Sequence, residues 1–134
     1  MRALGLDYGS ARCGCAVSDP TGTLATPIEP VLRPATRKGI ARISALVDER
    51  EAQLVVVGLP LTLAGGDSAQ TAEARAFAAR LAERLSVPVE LYDERFTTLM
   101  AQRNPGDQGS SEDSRAAAHL LEGWLAAQSA RAGQ

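Results

Sequence analysis

Leu4-Gly-Leu-Asp-Tyr-Gly-Ser-Ala-Arg-Cys-Gly-Cys-Ala-Val-Ser-Asp19 is the stretch that decides the fold. An apolar strand ends on a single acid, Asp7, and a turn at Gly9 carries the chain back into a second apolar strand. Alternation gives Leu4 and Leu6 one face of the first strand and Gly5 and Asp7 the other. Gly9 lies where the chain reverses and a Cβ would clash. A carboxylate at the rim of a sheet is costly to desolvate alone, so Asp7 invites a cation.

Working outward, residues 2–8 and 12–18 form the hairpin, and Ala25 to Leu32, broken by Pro27 and Pro30, is at most a short third strand at an edge. Thr36 caps a helix from Arg37 to about Glu49, with Ile40, Ile43, Ala45, Leu46 and Val47 as its apolar stripe. Gln53 to Gly58 is a β-branched run suited to a strand covered on both faces. A loop to Asp67 follows, then a helix opened by Ser68 and reaching about Leu85, with Ala72, Ala76, Phe77, Ala79 and Leu81 as its buried side. Val87 to Tyr92 is another strand. Thr97 or Thr98 starts a short helix, residues 104 to 112 form a polar loop, and the last helix runs from about Asp113 to Ala127.

Strands separated by helices pair in parallel through right-handed crossovers, whereas strands joined by short turns pair antiparallel. The expected fold is therefore α/β: a mixed five-stranded sheet, antiparallel over the first three strands and then parallel, with helices on both faces. At 134 residues the chain is expected to form a single domain, 1–134, with one core and no second lobe. A net charge of −2, with 45% hydrophobic and 22% charged residues, is globular composition and does not by itself announce nucleic acid. The N-terminal apolar run is interrupted by Gly5, Asp7 and Gly9, so neither a signal peptide nor a membrane span is expected, and the cytoplasm is the expected compartment. Cys13 and Cys15 point to one face of a strand, where they pack rather than bridge, and such a pair without further Cys or a suitably placed His is a poor zinc site.

Two further acids end up near Asp7 in this scheme. Asp93-Glu94 closes the last strand, and Asp113 stands at the start of the last helix, where the dipole favours a carboxylate and where a plain N-cap is the competing role. Asp93 and Glu94 face opposite sides; Glu94 has the longer arm, although parity alone does not choose between them. Oxygen donors from Asp7, Glu94 and Asp113 suit Mg2+ or Mn2+, and two such ions ~4 Å apart drive phosphodiester hydrolysis. Arg12, Arg95 and Arg115 lie close in sequence to these acids, where they would compensate a scissile phosphate or pair with the carboxylates themselves. Gly65-Gly66-Asp67-Ser68 leads into a helix N-terminus, so its N–H groups and Ser68 could hold a phosphate, with a plain strand-to-helix connection as the alternative. Arg33, Arg37, Lys38 and Arg42 make a looser basic patch that a solvated helix face explains equally well. His119 and Trp124 read as packing residues.

Leu-Gly-Leu-Asp-Tyr-Gly-Ser-Ala-Arg at the start, Val-Val-Val-Gly-Leu-Pro-Leu-Thr with Gly65-Gly66, Tyr-Asp-Glu-Arg-Phe-Thr-Thr, and the late Asp-Ser-Arg-Ala-Ala together resemble the YqgF/RuvX family, over nearly the whole chain and in the right order. That resemblance implies a ribonuclease H-like fold akin to Holliday junction resolvases. It also implies a nuclease maturing the 5′ end of pre-16S ribosomal RNA, with cleavage of branched DNA as the related activity. Its acidic positions correspond to Asp7, Glu94 and Asp113. The chain departs from the family at Asn104 to Glu112, where relatives carry a basic stretch and this sequence has no Lys or Arg. Two other classes stay open: a phosphate-loop ATPase or kinase of the actin-like kind, for which one lobe is too few, and a non-catalytic nucleic-acid-binding module. A face of the last helix or the paired cysteines could support a homodimer, and neither is diagnostic.

Overall fold

The computed structural model describes residues 1–60, 68–93 and 112–132. Strands β1 (Ala3–Asp7), β2 (Arg12–Ser18), β3 (Ala25–Leu32), β4 (Leu54–Leu59) and β5 (Val89–Asp93) form one sheet in the order β3-β2-β1-β4-β5. The hairpin-linked strands pair antiparallel, and β4 joins β1 and β5 in parallel. This is the expected mixed sheet. Helices α1 (Arg37–Glu49) and α2 (Ala69–Arg84) pack on one face, and α3 (Glu112–Ala132) covers the other.

The alternation read from the first hairpin carries through the central strands. Leu4, Leu6, Val55, Val57 and Leu59 face the α1/α2 core, while Ala3, Leu54 and Val56 face Ala117, Leu121 and Trp124 of α3. Cys13 and Cys15 are free, fully buried and on the α1/α2 side. Each thiol is tuned by the other: the hydrogen bond from Cys15, burial, and then the charges of Cys15, Asp7 and Asp113 push Cys13 well up, and the same hydrogen bond holds Cys15 down.

Three local expectations are corrected. Strand β3 is longer than Pro27 and Pro30 suggest, because an edge strand pairs on one side only. The β2–β3 register also shifts between Cys13↔Val31 and Cys15↔Ile28, an irregularity that spans Pro30. In α2 the buried residues are Thr71, Ala74, Phe77, Ala78 and Leu81, and the expected Ala72, Ala76 and Ala79 are exposed. Alanines on every side gave that helix a blurred stripe. Phe77 sets the true phase, stacking on Tyr8 with ring centroids 4.7 Å apart. Helix α3 starts at Glu112 and continues to Ala132. The short helix expected at Thr97 or Thr98 and the segments 61–67 and 104–111 lie outside the described residues.

The caps follow the sequence. Thr36 Oγ1 accepts the N–H of Gly39 at 3.1 Å, and Ser68 and Thr71 cap each other reciprocally, with Thr71 Oγ1 also donating to the carbonyl of Pro60 at 2.7 Å. The β2–β3 loop is closed by Asp19, whose carboxyl is held far below its ordinary range by the Thr21 hydroxyl and the N–H groups of Leu24 and Thr23. Among the described residues no helix is long and apolar enough to cross a membrane.

Candidate active site

Strand β1 delivers Asp7 to the rim of the sheet on the same face as Ala3 and Gly5, the face that α3 covers. Its cross-strand partner is Gly14. A Cβ on Gly14 would lie 1.9 Å from the carbonyl oxygen of Asp113 and 2.8 Å from the nitrogen of Ser114. The absent side chain is thus what lets the first turn of α3 settle onto the sheet beside Asp7. The next residue makes the bond that fixes it there, as Ser114 Oγ accepts the N–H of Cys15 at 3.2 Å in a fully buried setting. Two acids distant in the chain are brought together by a glycine, a serine and the register of one hairpin. Removing the hydroxyl with Ser114→Ala leaves the Cys15 N–H buried and unpaired. Chemical denaturation should show a loss of about 1–3 kcal/mol.

Arg12 opens β2 on the same face and pairs through Nε with Asp113 Oδ2 at 3.4 Å, with the two side chains 61% and 41% exposed. The pairing read as a competing role for Arg12 is therefore present. An ion pair that wet holds weakly and can yield to a phosphate. A Cβ on Gly9 would stand 2.6 Å from the Arg12 carbonyl, so the tight turn also sets where this arginine begins. Arg115 lies in the first turns of α3 and is partly exposed.

Strand β5 settles the parity that the sequence left open up to its last described residue. Asp93 pairs with Leu59, on the α1/α2 face, whereas Glu90 and Tyr92 lie on the α3 face, where Trp124 Nε1 donates to Glu90 Oε2 at 3.0 Å and Tyr92 packs on the α3 core. Asp93 is therefore turned away from Asp7 and Asp113. Glu94 and Arg95 lie outside the described residues. Ser68 caps α2, and its hydroxyl bonds Thr71. Trp124 and His119 are buried in α3, consistent with packing, although His119 Nδ1 has no hydrogen-bond partner.

Sequence reasoning missed Gly14 and Ser114. Gly14 carries a readable signal, a glycine interrupting an apolar strand directly across from a terminal acid. Ser114 carries none beyond its adjacency to Asp113. Among the described residues no group of three His, Cys, Asp or Glu side chains is placed to hold a metal.

A family model described as "RuvX: Holliday junction resolvase" matches residues 1–127. A protein of Anaeromyxobacter sp. named "Putative pre-16S rRNA nuclease" is 44% identical over 133 residues, covering 93% of this chain and 96% of its own length. A protein of Mycolicibacterium smegmatis with the same name is 44% identical over 135 residues, covering 92% and 79%. Among solved structures, Thermus thermophilus RuvC in complex with a Holliday junction substrate superposes with a TM-score of 0.61 at 18% identity, covering 96% of each chain. The Fowlpox virus resolvase with Holliday junction DNA gives 0.58 at 10% identity, covering 96% and 99%. At these identities the likeness is one of fold, and the fold is the expected ribonuclease H-like one.

Proposed function

Because the chain belongs to the RuvX family of nucleases, we propose that it hydrolyses phosphodiester bonds of structured nucleic acid in a metal-dependent reaction, processing the 5′ end of pre-16S ribosomal RNA in the cytoplasm as one nuclease domain. The observation that carries the reading is the seating of Asp113 on Gly14, directly across the hairpin from Asp7. Branched DNA is the second substrate, favoured by the description of the family model.

Asp7 and Asp113 offer only oxygen donors, and the Asp113 carboxylate is 41% exposed at the rim, a combination that fits Mg2+ or Mn2+. Glu94 is the third ligand in this proposal. The parity of β5 supports it, since even-numbered residues of that strand share the face of Asp7. Bound between these carboxylates, a divalent ion would supply a water of lowered pKa and charge to stabilise the leaving oxygen. The chain's own cations do the rest. Arg12, already poised on Asp113 and well exposed, meets a non-bridging phosphate oxygen as the strand enters, and Arg95 and Arg115 offset the remaining charge.

The test is turnover. With a pre-16S fragment carrying its 5′ extension, cleavage should appear with Mg2+ or Mn2+, vanish with EDTA and return when metal is restored. A four-way DNA junction run alongside reports the second substrate. Tight binding of either substrate with no turnover in any divalent metal would instead identify a non-catalytic binding module.

A further inference from the structure

On the sheet face away from Asp113, α1 and α2 leave a groove of about 560 Å³ lined by Arg37, Ile40, Ala41, Ser44 and Arg84. Its two guanidinium groups have no ion-pair or hydrogen-bond partner among the described residues, whereas Arg42 pairs with Glu49 at 3.3 Å and Arg80 is spent on the carbonyl of Ala35. The charges of α1 also run against its dipole. Arg37 and Lys38 occupy the positive end, and Asp48 and Glu49 the negative end. Such an order weakens the helix, and an external anion at the basic end would offset that cost.

A basic edge joins the groove to the acidic site. Arg33 donates its N–H to the carbonyl of Ala11 at 2.9 Å, beside the turn that leads into Arg12, and holds a left-handed φ of 45° that non-glycine residues seldom adopt. Its carbonyl in turn accepts from the backbone and the hydroxyl of Thr36, the cap of α1. Arg12, Arg33 and Arg37 therefore follow one another around the end of the sheet where β1 and β3 finish, and Arg84 continues the series across the groove. No Lys or Arg lies between Arg103 and Arg115, whereas this edge carries cations from Arg12 to the groove.

We infer that the α1–α2 groove is a second phosphate-binding surface, gripping the backbone of the RNA that flanks the cleavage point while Asp7 and Asp113 engage the scissile bond. The inference rests on the nuclease reading of those two acids. A series of separated cations, with the Ser44 hydroxyl among them, matches the repeating charge of a nucleic-acid backbone better than a lone anion.

The experiment uses the full chain carrying Asp7→Asn, so that nothing is cut, and an end-labelled RNA hairpin of about 20 base pairs with single-stranded flanks, bound over a salt series. R37A/R84A should weaken binding about tenfold and lower the slope of log affinity against log salt by about two, one for each phosphate no longer neutralised. R42A, which removes an α1 charge that Glu49 already pairs, should leave both unchanged. Unaltered affinity and slope in R37A/R84A would overturn the groove. So would saturable binding of AMP that R37A/R84A abolishes while affinity for the hairpin stays, since the groove would then serve a free nucleotide. A parent protein that fails to bind the hairpin at any salt brings down the nuclease reading itself; normal binding with an unaltered slope brings down the groove alone.

Discussion

Asp7→Asn should lower metal-dependent cleavage by at least about a thousandfold, a loss of roughly 4 kcal/mol of transition-state stabilisation, in a chain that still folds. The side chain is only partly buried, at the end of β1 where the rim begins. Asparagine keeps the shape and one acceptor oxygen but loses the negative charge that an ion demands. Single-turnover cleavage with saturating Mn2+, run beside a thermal melt, measures both halves. Cleavage surviving in that variant would remove Asp7 from the chemistry and, with it, the proposed mechanism.

Among the described glycines Gly14 would meet the closest contact on gaining a methyl group, and Gly14→Ala should be strongly damaging. The new Cβ would meet the carbonyl oxygen of Asp113 at 1.9 Å, and that atom is backbone, so no rotamer change relieves the clash. Either β2 or the first turn of α3 has to move, and each is held by the Ser114–Cys15 bond and the core beneath α3. Overpacking of this kind costs about 3 kcal/mol or more. Activity should fall further than stability does. A helix lifted off Gly14 carries Asp113 away from Asp7, so cleavage should be lost even at low temperature where circular dichroism reports a folded chain. Full activity in a folded Gly14→Ala protein would show that the two acids need not be juxtaposed.

Much of this arrangement is legible in the residues alone, for identifiable reasons. Asp7 is visible because Gly and Asp punctuate an otherwise apolar hairpin, and β4 because six buried residues in a row have no other use. The phase of α2 is not, because alanine is tolerated on both sides of a helix and only Phe77 and Leu81 carry a strong preference. The full length of β3 was hidden by its prolines, whose cost depends on whether a strand has one neighbour or two, a property of the sheet and not of the segment. Hardest of all was the contact that builds the site. Ser114 and Cys15 are 99 positions apart, and nothing local to either announces the other. The sequence does offer both carboxylates; their meeting is a property of the docked helix.

That docking also imposes an order of events during synthesis. Every described strand precedes α3 in the chain, so the strands leave the ribosome ahead of the segment carrying Asp113. On the mechanism proposed above, a nascent chain halted short of that helix would hold Asp7 without Asp113 and should not cleave. Activity should therefore wait until α3 has emerged and docked on Gly14.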